Sequence, residues 1–234
     1  AHPQPGGDPA LIGSGPTFPD PSDPAEALAI FERLGLKQRL PPNVLRRLAA
    51  PAAPVPAARD AAHFVLADSA AALAAAARRA ERLGYAVRIV DPAMTGETRE
   101  AALEFAQALR TASALREPTV FLSAGETTLT VRGGGRGGRC QEFALIAARE
   151  LDGAVGAALL AAGTDGTDGP TDAAGAFADG STVARADAMG LNLLAALEDN
   201  DSHTALARLG DLFATGPTGT NVMDLVVGVA GPPL

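Results

Sequence analysis

Between Ser123 and Asp172 the chain carries two loops of opposite chemistry, each at the end of a stretch of strand length. The first, Gly133–Arg139 (GGGRGGR), is cationic, and the second, Gly163–Asp172 (GTDGTDGPTD), is anionic. Before the cationic loop, Thr127, Leu129 and Val131 alternate with Thr128, Thr130 and Arg132, the period of a half-buried strand. That alternation predicts one arm of a hairpin with Thr119–Leu122. Gln141–Glu150 then reads as a helix with Phe143, Ala144, Ala147 and Ala148 on one face. Ala157–Ala162 reads as a second apolar strand, running into the anionic loop. Polar loops at strand ends are where open α/β sheets place ligands.

The flanking sequence fills in such a sheet. Strand patterns at His63–Ala67, Tyr85–Val90 and Thr119–Leu122 alternate with helix patterns at Ser69–Leu83 and Thr95–Leu109. The expected fold is therefore α/β: a three-layer mixed or largely parallel sheet with helices on both faces. Further helices are expected at Ser181–Met189, Leu191–Leu197 and Thr204–Leu209, the last capped by Asn200-Asp201-Ser202 and stopped by Gly210. After the Thr215–Asn221 loop, Val222–Val229 is the closing strand. Asp224 inside it must be paired or point at a ligand. Upstream, Ser22 or Asp23 caps a helix that starts at Pro24 and stops at Gly35, and Pro41-Pro42 opens a short one. The Pro51–Pro56 run is a linker. Residues 1–58 thus read as the tail of a preceding domain and 59–234 as a second domain. Gly13-Ser14-Gly15 would suit an anion through backbone N–H groups, and a domain-edge linker has the same composition. His63, at a strand start, reads as structural.

A net charge of −8 argues against a nucleic acid or an anionic membrane as main partner, so the loop arginines are local devices for a small anion. A single cysteine permits no internal disulfide, and nothing has zinc-site spacing, so a reducing cytoplasm is expected. No apolar run has the length of a membrane span. The Pro/Gly-rich start without Met suggests a piece of something longer.

Gly133, Gly135 and Gly138 satisfy G-x-G-x-x-G between a strand and a helix, the formal dinucleotide fingerprint. Arg136 and Arg139, with Arg132 nearby, fit a phosphoryl or carboxylate group better than a pyrophosphate held by backbone amides. A flexible hairpin tip would have the same glycine content. In the second loop, Asp165, Asp168 and Asp172 interleave with Thr164, Thr167 and Thr171, hard oxygen donors that suit Mg²⁺. Asx turns use the same residues, and the EF-hand order is absent. Glu126 follows a glycine at a strand end. There is no Walker A lysine motif, G-x-S-x-G elbow or H-R-D loop.

The runs SAGETTLTV, GRGGRCQEFAL, GTDGTDGPTDAAGA, NDS and TGPTGTNVMDLVV resemble, in order, the signature segments of class II glycerate kinases, whose C-terminal part is the MOFRL domain. GGDPALIGSGPTFPDPSDPAEALAIFERLGL resembles the end of that family's Rossmann-like N-terminal domain. The resemblance implies ATP- and Mg²⁺-dependent phosphorylation of D-glycerate, usually at the 2-hydroxyl, in a cleft completed by the N-terminal domain. Hydroxypyruvate reductase is an older name for relatives, and an NAD(P)-dependent reductase or a non-catalytic anion-binding fragment are the alternatives. With that kinase activity, the chemistry of the two loops puts catalysis on Arg136, Arg139, Asp165 and Asp168 and metal binding on Asp165, Asp168 and Asp172. Substrate or nucleotide binding is expected on Glu126, Gly133, Gly135, Gly137, Gly138, Gln141, Thr164, Thr167, Thr218 and Asn221. A homodimer is compatible with the resemblance. The family's phosphate-proximal lysine is expected in the N-terminal half. Three positions depart from the family pattern: Cys140 for Asn, His203 for Tyr and Met223 for Asn. Cys140, at a helix N-terminus beside arginines, is placed for a depressed thiol pKa.

Overall fold

A computed structural model of the chain describes residues 15, 18, 23–50, 62, 64–112 and 117–232. These fall into two compact units that part between Phe64 and Val65. The first holds α1 (Pro24–Arg33) and α2 (Pro42–Ala49), joined through a short 3-10 turn. Asp23 is the cap of α1, its carboxylate accepting the Ala25 N–H. Neither helix buries a residue. Gly13 and Ser14 of the glycine run lie outside the described residues, as does His63.

The second unit is a six-stranded sheet between helices. Its strands are β1 (Ala86–Met94), β2 (Thr119–Gly125), β3 (Ala157–Gly163), β4 (Gly175–Asp179), β5 (Leu212–Phe213) and β6 (Asp224–Ala230), in the order β1-β2-β6-β3-β4-β5. Its helices are α3 (Ser69–Arg82), α4 (Thr98–Ala112), α5 (Arg139–Glu150), α6 (Thr182–Ala188), α7 (Leu193–Glu198) and α8 (Ser202–Leu209). The sheet is mixed rather than largely parallel. Only β1 and β2 pair in parallel, because β6 enters between β2 and β3 antiparallel to both, and β4 folds straight back on β3.

One face is covered by α3, which sets Leu73 and Ala80 on Val120, Leu122 and Ala124. The opposite face packs Phe105 and Leu109 of α4 and Phe143 of α5 against Phe121, Leu159, Ala161 and Val226. The Phe105 and Phe143 rings meet edge to face at 6.0 Å. Gly228 of β6 makes room for α4, since a Cβ there would lie 2.6 Å from Leu109. Among the described residues no helix is long and apolar enough to cross a membrane.

Two expected strands do not form. Thr127–Arg132 makes a single bridge, Thr128 to Glu97, and no hairpin with β2, because β1 and β6 already occupy both edges of β2. Phe64–Ala67 carries no strand and leaves Phe64, Val65 and Leu66 exposed. The helix expected from Thr95 starts at Thr98, after Gly96 turns the chain at φ 79°.

Candidate functional site

β2 and β3 end at the same level, where Gly125 and Gly163 both lie opposite Asp224, the first residue of β6. Asp224 is buried, and its carboxylate takes both arms of Arg139: Nε at 2.5 Å and Nη2 at 2.8 Å. Glu126, just past the end of β2, forms an ion pair with Nη1 of the same guanidinium at 2.9 Å. Arg139 opens α5 and is about one-third exposed, so a cation is fixed at the strand ends with part of its edge facing solvent. Its partners raise its pKa above the ordinary arginine value, the Asp224 hydrogen bond first among them. Burial pushes the Asp224 carboxyl upward against the pull of Arg139.

Arg136 is held less firmly. Its Nη2 reaches Asp172 Oδ1 at 3.3 Å and its Nε reaches the Pro170 carbonyl at 3.4 Å, with half of the side chain exposed. His203 Nε2 also contacts Asp172 Oδ1, at 3.0 Å. Backbone hydrogen bonding first, then the bond to His203 and the nearby Arg136, hold the exposed Asp172 carboxyl below the usual aspartate range.

The glycine loop is not an open cradle. Asn200 Oδ1 accepts from the N–H of Arg132 (2.7 Å) and of Gly133 (3.0 Å). The Asp199 carboxylate takes the N–H of Gly134, the Asp199 carbonyl that of Gly135, and the Asp201 carboxylate that of Arg136. Its glycines are there for close approach: a Cβ at Gly133 would lie 2.3 Å from the Asp199 backbone, and one at Gly135 2.4 Å from Asp201. A Cβ at Gly137 would lie 2.2 Å from Ser202 Oγ. Gly133 and Gly135, expected to bind ligand, are instead spent on the 199–202 turn, which leaves a pyrophosphate few amides to use. The N–H groups of Gly137 and Gly138, between the two arginines, have no acceptor among the described residues.

The three loop aspartates part company. Asp168 is buried and caps α5 from outside, accepting from Cys140 N (3.1 Å), Gln141 N (2.9 Å) and Gln141 Nε2 (2.9 Å). Gly138 permits this, since a Cβ there would lie 2.3 Å from the Asp168 carboxyl. Burial nevertheless pushes that carboxyl above its ordinary range. Asp165 organises its own turn, accepting from the N–H and hydroxyl of Thr167, with Asn221 Nδ2 at 3.3 Å. Asp172 turns to Arg136 and His203. The metal site expected on Asp165, Asp168 and Asp172 therefore does not assemble, and no group of three His, Cys, Asp or Glu among the described residues could hold a metal ion.

The remaining expected binding residues pin loops. Thr164 Oγ1 donates to the Met223 carbonyl, and Thr218 Oγ1 to the Thr164 carbonyl, both at 2.6 Å. Gln141 is buried and bonded to Asp168 and Thr171, while its Oε1 and the hydroxyl of Ser202 are buried without a partner among the described residues. Cys140 is fully buried, and burial pushes its thiol up, the reverse of the depressed value expected from its helix position. Two buried residues that sequence reasoning did not single out for the site lie beside it, Glu142 on α5 and Asn200. Asn200 belongs to a cap cluster and to the NDS run, whereas Glu142 carries no signal beyond its place in a helix.

Residues 119–224 match the MOFRL family, and residues 5–49 match a domain of unknown function, DUF4147. A D-glycerate 2-kinase of Thermotoga maritima is 38% identical over 228 residues, covering 94% of this chain and 52% of that protein. A glycerate kinase of Macaca fascicularis is 34% identical, covering 93% of this chain and 68% of that protein. A crystal structure of a Thermotoga maritima glycerate kinase aligns with a TM-score of 0.84 at 36% identity, covering 97% of this chain and 55% of that one. The chain thus spans about half the length of the first of these relatives.

Proposed function

The chain belongs to the glycerate kinase family that carries the MOFRL segment, and from that premise we propose that it forms one wall of a site transferring the γ-phosphoryl group of ATP to the 2-hydroxyl of D-glycerate. The observation that carries the reading is the Arg139 guanidinium fixed at the strand ends by Asp224 and Glu126, with Arg136 three residues before it on the loop, against Asp172 and Pro170. The hydroxyl oxygen attacks the γ-phosphorus in line while the bond to the departing ADP oxygen breaks. Positioning and charge supply most of the catalysis in such a reaction. Arg139, already oriented, stabilises charge on the transferring group without reorganising. Arg136, bonded only at 3.3–3.4 Å, turns to the substrate anion, and Asp172 beside it orients the hydroxyl. The N–H group of Gly137, half-buried and without an acceptor among the described residues, adds a donor on the same loop.

The described carboxylates do not form a cage for a resident Mg²⁺, so no step is assigned to a protein-held metal. We propose residues 1–58 as the end of a preceding domain and 59–234 as the second. The one cysteine, buried and unpaired, suits a cytoplasmic location. A nicotinamide-dependent reductase is disfavoured because two of the three fingerprint amides, those of Gly133 and Gly135, are already bonded to Asn200 and Asp199. Supplying Mg-ATP with D-glycerate and, separately, NADH with hydroxypyruvate tests the choice. Formation of 2-phosphoglycerate without NADH oxidation is expected, and NADH oxidation without phosphoryl transfer would overturn it.

A further inference from the structure

Glu142 lies three residues after Arg139 on α5 and is only 3% exposed. Its Oε1 accepts from Asn200 Nδ2 at 2.7 Å. Asn200 sits between α7 and α8, 6% exposed, with φ at 54°. The other end of the same amide accepts the N–H groups of Arg132 and Gly133. One buried side chain therefore joins the helix that carries Arg139 to the loop that carries Arg136. Asp199 and Asp201 also take loop amides, at more exposed positions, but neither bonds a side chain of α5.

The position makes three demands. A left-handed backbone favours Gly, Asn or Asp. Receiving two amide N–H groups requires an acceptor, and meeting Glu142 requires a donor. Glycine supplies neither group, and aspartate lacks the donor and sets a second carboxylate against the first. Asparagine meets all three. The cost of burying the Glu142 carboxyl is offset in part by the bond from Asn200, and the same bond fixes the register of loop against helix.

We propose that Asn200 and Glu142 are a positioning pair that sets the glycine loop against α5, so that Arg136 and Arg139 present their guanidiniums to one anionic group. The pair acts through the arginines and touches no substrate. This rests on the reading of the two arginines as the groups that meet the transferred phosphate.

Backbone amide exchange followed by NMR tests the pair without any substrate. Asn200→Gly keeps the backbone conformation and removes the clamp. Exchange at Arg132 and Gly133 is expected to speed up roughly tenfold or more, with β2 and α5 unchanged. Phosphoryl transfer from Mg-ATP to D-glycerate supplies the second readout. Asn200→Asp is expected to lower kcat/KM by roughly a hundredfold, as a misplaced reacting group does. Adding Glu142→Gln, which restores a donor facing the carboxylate, is expected to recover most of that loss. A merely structural role would lower the unfolding midpoint of Asn200→Asp and leave kcat/KM per folded molecule unchanged, so the rate is normalised to the folded fraction. Unchanged exchange at Arg132 and Gly133 in Asn200→Gly overturns the proposal, as does a double variant no better than Asn200→Asp. If the wild-type protein transfers no phosphoryl group even with the N-terminal half of a glycerate kinase added, the kinase reading fails by itself, and the exchange rates still decide whether the pair clamps the loop.

Discussion

Asp168 and Asp172 stand four residues apart on one loop and do different work. Asp168 is buried against three N–H donors, so Asp168→Ala leaves Cys140 N and Gln141 N without their acceptor, while Gln141 Nε2 keeps the residue 168 carbonyl and Thr171 Oγ1. Denaturant unfolding is expected to show a loss of about 1–3 kcal/mol or more. Asp172→Ala, at a fully exposed site, is expected to leave the unfolding midpoint nearly unchanged. Both aspartates were visible in the sequence as a cluster. What sequence could not show was which way each would face, because that depends on α5 arriving close enough for Gly138 to admit Asp168. Protonation adds a second check. Burial raises the Glu142 and Asp168 carboxyls, so the folded chain holds protons that the unfolded chain would release. Their contribution is fully present below the ordinary carboxylate range and is lost as pH rises through their folded values. Glu142→Gln removes its share, so stability plotted against pH is expected to fall less steeply across that window. An unchanged slope would contradict the assignment to Glu142.

At the scale of elements, helices were the more legible part of the chain. Asp23 before α1 and Gly210 after α8 are caps that depend on near neighbours alone, and both form. Thr127–Arg132 and Phe64–Ala67 show that a strand pattern is only half of a strand. The other half is a free edge, and β2 has none once β1 and β6 are in place. β5, two residues long, has no pattern to read. The glycine loop matched the dinucleotide fingerprint, yet its glycines serve close packing on the 199–202 turn. Gly133→Ala and Gly134→Ala separate the two roles. The first would drive a Cβ to 2.3 Å from the Asp199 backbone, and the second meets nothing within 4 Å. Gly133→Ala is expected to destabilise by about 1–3 kcal/mol and to lower transfer, with Gly134→Ala close to wild type in stability. Equal effects would mean that the loop does not depend on this packing.

At the scale of the whole molecule, the strand order brings residues from distant parts of the sequence to one end of the sheet: Glu126, Arg139 and Asp224. Sequence had marked all three, and Asp224 was expected to be paired or aimed at a ligand. Their mutual pairing was out of reach because it depends on β6 entering between β2 and β3. The chain matches about half of a longer kinase, and the arginine pair is the part of the proposed chemistry that these residues own. The measurement that tests this most directly is γ-phosphoryl transfer from Mg-ATP to D-glycerate by wild type and Arg136→Ala in parallel. It is run with the chain alone and with the N-terminal half of a glycerate kinase added. Formation of 2-phosphoglycerate by the wild type, reduced roughly a hundredfold or more in the variant, is expected. Equal turnover by both, or none from the wild type under either condition, would contradict the account.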